Sequence, residues 1–351
     1  MTAGDPTTDK AECAARAAAG VEALQRWYVR WPGLPATGQW RTTGWWNAAN
    51  ALTAVIRYTQ HTGDDRYTGA IERTFRAAGR RNPGFINKFF DDNAWWALAW
   101  MDAYDLTGHT RYLEAARVIF DNFVTAWDDT CGGGVWWNTD RKYKNAITNE
   151  LFLAVAARLH QRVPGNDRYL DWAQREWAWF AASGMVNDEG LVNDGLTADC
   201  RNNGQPTYTY NQGVVLGGLA ALYEITGDEG YLRAGEPIAD ATLRLLTSPV
   251  SGSAVGVLVE PGETAMAAAR TRGDRTQFKG IFARNLADFA RHSGRPAYRD
   301  FILRNAESVW TNSRNGRNQL GLQWTGPFDT ADASRQSSAL DVLVAAAALT
   351  S

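Results

Sequence analysis

Cysteine is scarce in this chain. Cys13, Cys131 and Cys200 are the three in 351 residues, widely spaced and odd in number. One disulfide is possible, but a disulfide framework or a paired-cysteine zinc site is excluded. Charge of one sign is also missing: 36 basic against 38 acidic residues leave a net charge of −2. Such a balance supplies no basic field for nucleic acid or an anionic membrane. Long apolar runs are absent, since Val214–Ala221 is broken by glycine and far too short to span a bilayer. No P-loop or dinucleotide fingerprint occurs; the glycines of "NQGVVLGG" fall inside a helical pattern and read as packing positions. No cofactor is therefore expected. The opening residues, MTAGDPTTDKAECAARAAAG, lack the basic-then-apolar order of a signal peptide, which points to the cytoplasm unless a leader precedes them.

What the chain has in quantity is apolar and aromatic material. It is 45% hydrophobic, with 16 tryptophans and 12 tyrosines. That suffices for one large core, and aromatic rings also make platforms for sugars. Five short turns recur: TGDDRY, TGHTRY, PGNDRY, TGDEGY and SGRPAY. Their glycines are Gly63, Gly108, Gly165, Gly227 and Gly294, and a tyrosine follows four residues after each one: Tyr67, Tyr112, Tyr169, Tyr231 and Tyr298. The spacing of 45 to 67 residues holds two helices and a variable loop.

Upstream of each turn lies a segment apolar around most of its circumference, such as NELFLAVAARLHQR, which reads as a buried helix. Each glycine suits the left-handed residue that ends a helix. Downstream segments such as RYLEAARVIFDNFVTAW are amphipathic and read as outer helices. With an opening outer helix near 9–29 and a closing inner helix near 337–350, the count is six inner and six outer helices. The expected fold is all-α: a single-domain (α/α)6 toroid over 1–351, taken as a monomer. An open solenoid would need more uniform repeats and polar caps.

The repeat also supplies a register. Seventeen residues before each glycine stand Trp46, Asp91, Thr148, Tyr210 and Gln277, followed by Asn47, Asp92–Asn93, Asn149–Glu150, Asn211–Gln212 and Phe278–Lys279. Polar groups thus gather in one layer where the inner helices begin. Each Asn read singly is an ordinary helix cap, and Glu150 suits a capping box. Two adjacent aspartates are different, because a cap needs one carboxylate and a second adds repulsion. Lys279 at a helix start opposes the dipole and reads as a functional lysine, while Arg284, deeper on the same helix, suits an ion pair. Substitution of Lys279 by alanine is accordingly expected to lower activity with little loss of stability. The long connections 128–145, 183–207 and 312–336 open onto the same face, where a site is normally built. Trp136, Trp137 and Trp324 are its candidate sugar platforms. The acids Asp188, Glu189, Asp194 and Asp199 read as a solvated loop, and no metal site is expected.

Two carboxyl groups in an aromatic cleft suit glycoside hydrolysis, one as nucleophile or base and the other as acid. Neighbouring Cα atoms lie about 3.8 Å apart, which favours the about 5–5.5 Å carboxyl separation of retaining enzymes over the wider inverting arrangement. The residues alone leave open which aspartate does which. His61, His109, His160 and His292 all fall near the repeat glycines, at the far end of the toroid. That argues against the sugar epimerases that share this fold and against a histidine-based nucleophile relay.

The stretches "FFDDNAWWALAW", "CGGGVWWN", "YKNAITNELFLAVAARL", "YTYNQGVVLGGLAALY" and "QFKGIFARNLADFA" together resemble the bacterial branch of glycoside hydrolase family 76, the endo-α-1,6-mannanases. The similarity runs in order from about Trp45 past Arg284. The resemblance implies an (α/α)6 barrel that cleaves α-1,6-linked mannose backbones of mannan or mannooligosaccharides with retention. It implies Asp91 as nucleophile and Asp92 as acid/base. Asn47, Asn93, Asn149, Glu150, Tyr210, Asn211, Gln212 and Lys279 are expected, from the register, to line the sugar subsites. A mannan transglycosylase and a non-catalytic glycan-binding toroid are the alternatives.

Overall fold

A computed structural model describes residues 10–28, 40–249, 256–270 and 272–350. Thirteen α-helices are found among them. Six form an inner ring: α2 (Trp45–Thr62), α4 (Phe90–Thr107), α6 (Ala146–Arg162), α8 (Thr209–Thr226), α11 (Phe278–Ser293) and α13 (Ala333–Leu349). Each packs on the next, and α13 packs on α2 to close the circle. Outside run α1 (Lys10–Gln25), α3 (Gly69–Arg81), α5 (Thr110–Val124), α7 (Arg168–Ala182), α9 (Gly230–Leu245) and α12 (Pro296–Asn312). The (α/α)6 toroid is therefore the fold. The closing helix starts four residues earlier than its sequence pattern indicates, because Asp332 caps it by accepting from the Arg335 amide. The opening helix ends at Gln25 rather than near 29, a position outside the described residues. A short helix, α10 (Glu263–Ala268), and a two-residue antiparallel pairing of Thr247–Ser248 with Val257–Leu258 had no signal in the repeat.

Burial follows the apolar pattern. Helix α13 buries every residue from Ala333 to Ala347, whereas the outer α3 buries five residues on one stripe. The ring closes tightly because small residues let backbones touch: a Cβ at Gly213 would lie 2.5 Å from Phe282 Cα, and one at Gly280 would lie 2.3 Å from Ser338 O. Gly63, Gly108, Gly227 and Gly294 each end an inner helix in the left-handed conformation. Gly165 differs, since α6 ends at Arg162 and the glycine turns the chain farther on. Three of the repeated tyrosines explain their recurrence. Tyr112 donates to Glu72 (3.2 Å), Tyr298 donates to Asp240 (2.9 Å), and Tyr169 accepts from Arg117 (3.3 Å), so each pins its outer helix to the preceding one.

At the far end of the inner ring, opposite the helix starts, charges interlock across the axis. Arg57 bridges Asp102 and Asp288 (3.4 and 2.9 Å), Arg158 also bonds Asp102, and Arg284 pairs with Asp341 at 3.0 Å. Arg57, Asp102, Arg158 and Asp288 line a cavity of about 220 Å³. No helix among the described residues is long and apolar enough to cross a membrane.

Candidate active site at the inner-helix N-termini

The aspartate pair opens α4. Asp91 and Asp92 lie in its first turn, where the free amides and the helix dipole favour anions. Both side chains are half-buried in the mouth. Asp91 accepts two N–H bonds, from the Asp92 amide to Oδ1 (2.9 Å) and from the Trp137 indole to Oδ2 (3.0 Å). Asp92 accepts one, from the Asn87 amide group to Oδ2 (2.8 Å). Its Oδ1 has no partner among the described residues. Burial, and then the Asp92 charge, hold the Asp91 carboxyl well above the ordinary range, against the pull of its two donors. Burial pushes Asp92 up to about 6, with Asn87 pulling down and Asp274 pushing up.

Two loops complete the mouth, and the Cys131–Cys200 disulfide joins them. Phe90 N–H donates to the Trp137 carbonyl (3.0 Å) and Thr139 N–H to that of Lys88 (3.0 Å), so the 128–145 loop lies along the entry to α4. That places Trp137 over Asp91. Tyr143 donates to Asp194 (2.6 Å) and accepts from Asn203 (2.8 Å), which ties the same loop to 183–207. Burial raises Asp194. Lys144 organises the loop from beneath. Its buried ammonium bonds the carbonyls of Asp128, Thr130, Gly133 and Gly134 and the Asp128 carboxylate, all within 3.1 Å. Gly133 and Gly134 serve this packing, because a Cβ on either would strike Trp179.

The polar layer divides into two groups. Asn93, Asn149 and Gln212 are pinning amides: each side chain bonds both the N–H and the C=O of one loop residue, Asn87, Val135 and Val192 respectively. Asn47 caps its own helix through Gly44 N–H and donates to Gln277 (2.9 Å). Lys279 is buried and fully committed, to Glu263 (2.7 Å), Leu322 O (2.8 Å) and Leu258 O (3.3 Å), with Trp324 beneath it at 4.7 Å. Trp324 is itself core, 1% exposed. Trp136 is partly open, with its indole N–H on Asp128 (2.7 Å) and Lys144 against its ring.

The second group is unspent. Glu150 is wholly buried, neither of its oxygens has a partner among the described residues, and burial followed by Asp194 holds it well above the usual range. Among the described residues, neither polar atom of the Asn211 amide has a partner, nor does the Thr148 hydroxyl. Tyr210 stacks on Phe278 (3.7 Å between centroids, 9° between planes). Burial raises its phenol far up, and the charges of Asp194, Asp91, Glu150 and Asp274 push it the same way. Trp46, stacked on Trp95 at 5.7 Å, donates to Asp274 (2.9 Å) at the rim. The sequence reading did not single out Asn87, Trp46, Tyr143 or Asp274. Trp46 stood in the register, but the others lie in loops that the repeat cannot align. Among the described residues, no three His, Cys, Asp or Glu side chains are placed to hold a metal ion.

A partly open acid pair, fed by N–H donors and surrounded by aromatic rings and unspent polar atoms, can supply a nucleophile and a proton to a sugar. A family model for glycosyl hydrolase family 76 matches residues 12–351. The mannan endo-1,6-alpha-mannosidase DCW1 of Candida albicans is 27% identical over 315 residues, 80% of this chain and 67% of that protein. Across its fungal relatives the matched stretch spans 45% to 72% of their length. The solved alpha-1,6-mannanase of Salegentibacter sp. HEL1_6 superposes with a TM-score of 0.81 at 25% identity, over 96% of this chain and 99% of that one. An inactive variant of that mannanase, with two consecutive aspartates replaced by asparagine and alpha-1,6-mannotriose bound, matches equally well (TM-score 0.81, 25% identity, 96% and 99% coverage).

Proposed function

The chain belongs to glycosyl hydrolase family 76, a family of glycoside hydrolases, and from that premise we propose that it cleaves α-1,6-mannosidic linkages in mannan or mannooligosaccharides with retention. The observation that carries the division of labour is the unequal hydrogen bonding of the pair. Asp91 has an N–H donor on each oxygen and Asp92 on only one. Donors stabilise the charged form, and two coupled carboxyls titrate as one unit. Burial raises both carboxyls, so the pair holds one proton between them, and the unequal donors place that proton on Asp92 and leave Asp91 the carboxylate.

In the first step an Asp91 oxygen bonds the anomeric carbon while the glycosidic C–O bond breaks, and Asp92 gives its proton to the departing oxygen. In the second, Asp92 takes a proton from water. That water's oxygen bonds the anomeric carbon and releases Asp91, so two inversions restore the α configuration. Trp137 holds Asp91 in place. Tyr210, partly open, supplies its hydroxyl to mannose, and Trp46 and Trp136 supply ring faces. An NMR time course on α-1,6-mannotetraose is expected to show α-configured product ahead of mutarotation. β-product first, or no cleavage by folded protein, would overturn the reading.

The disulfide supports work in an oxidising compartment rather than in the cytoplasm. Thiol titration of the unreduced, denatured protein should then find one thiol per chain, Cys13. Three would sink that proposal. Replacing both bridged cysteines by serine is expected to cost about 2–4 kcal/mol of stability and to raise KM, because the joined loops carry Trp137 and Tyr143. Thermal unfolding and kinetics check this together.

A further inference from the structure

Asn87 stands five residues before Asp92, in the short link between α3 and α4. Its geometry is fixed on every side. Asn93 of α4 clamps the Asn87 backbone, accepting from its N–H (2.8 Å) and donating to its C=O (3.1 Å). The side-chain Oδ1 of Asn87 accepts from Phe89 N–H (2.7 Å), which leaves only the Nδ2 end of the amide to face Asp92. That Nδ2 donates to Asp92 Oδ2 (2.8 Å). The chain of contacts leaves α4 at Asn93 and returns to it at the neighbouring residue, Asp92.

We propose that Asn87 is a positioning residue for the reaction: it holds Asp92 Oδ2 as an acceptor, so that the proton of Asp92 sits on Oδ1 and is presented to the glycosidic oxygen. This rests on the assignment of Asp92 as the acid/base. A carboxylic acid carries its proton on one oxygen only, and an oxygen already receiving an N–H bond is the poorer place for it. Asp92 Oδ1 is the oxygen without a partner among the described residues, on a side chain that is half-open at the mouth. The same bond favours the ionised form of Asp92, which readies it to take a proton from water in the second step.

Loss of the Asn87 donor removes a bond to the charged form, so Asp92 keeps its proton to higher pH. The alkaline limb of kcat/KM, where Asp92 must be protonated, moves upward. The acid limb, set by Asp91 taking up a proton, stays. Groups facing the pair from other elements are Trp137, Tyr210 and Asp274, and none is altered by the substitution.

The test compares wild type, Asn87→Ala and Asn87→Asp. On α-1,6-mannotetraose, Asn87→Ala should lower kcat by about 100-fold with KM little changed, and its alkaline limb should rise by about one pH unit. Asn87→Asp keeps the size and the acceptor for Phe89 but sets a carboxylate against Asp92, so its limb should rise further. On an aryl α-1,6-mannobioside whose leaving group needs no proton, both losses, read in kcat/KM so that only the first step counts, should shrink to a few-fold. Equal losses on the two substrates, or an alkaline limb that stays put in either folded variant, would overturn the inference. The underlying role assignment fails separately: it falls if Asp92→Ala still cleaves mannotetraose, whatever Asn87 does.

Discussion

Asp91→Ala and Asp92→Ala are each expected to cut mannotetraose cleavage by about 10,000-fold or more, and azide should then tell them apart. In Asp92→Ala, an aryl α-1,6-mannobioside with a good leaving group still forms the ester on Asp91. Azide attacks that ester from the opposite face, and the product is the α-mannosyl azide. In Asp91→Ala no ester forms. Azide occupies the vacated place and displaces the aryl oxide in one inverting step, giving the β-azide. The stereochemistry of two isolated products thus reports the two roles directly. Neither variant should lose stability, because each removes one member of a repelling, half-buried pair. The same anomer from both variants would reject the division of labour, and reversed anomers would exchange the roles.

The aspartate pair and the ring were legible because both are written locally. A glycine with a tyrosine four residues later recurs in the chain and lies at the foot of successive inner helices. The tyrosine bonds from Tyr112, Tyr169 and Tyr298 to the previous outer helix give the repeat its physical reason. Counting back from the glycines reaches the layer where the inner helices begin. What counting could not supply is the partner of each polar side chain. Asn93, Asn149 and Gln212 look like sugar ligands from their register, yet each is occupied by the backbone of a loop 6 to 20 residues upstream. A long loop that opens on a mouth exposes backbone N–H and C=O groups that must be satisfied, and an amide side chain at a helix start can meet both at once. The unspent residues, Glu150 and Asn211, carry the same sequence signal as the pinning ones. Only the loop path separates them.

Lys279 shows the same lesson with a larger energetic consequence. Lys279→Ala is expected to destabilise the fold by about 3–5 kcal/mol, a fall of roughly 5 °C in Tm for a chain this size, while the folded fraction keeps near-normal kcat. The reason is the set of groups left behind. Glu263 is 3% exposed and its carboxylate faces the Lys279 ammonium at 2.7 Å; the Leu322 and Leu258 carbonyls lose a donor as well. An orphaned buried charge costs more than the pair was worth. The double substitution Lys279→Met with Glu263→Leu should therefore recover most of the lost stability, since both charges leave together and the volume is kept. The sequence alone points the other way, to lost activity with stability intact, because a lysine opposing a helix dipole invites a functional reading. Here that lysine instead tethers the segment before α10 and the 312–336 connection to the start of α11, so it acts on the mouth through the loops it holds. Wild-type Tm with a deep loss of kcat in Lys279→Ala would return it to the sugar subsites. A double variant no more stable than the single would show that the backbone carbonyls, not Glu263, are its main partners.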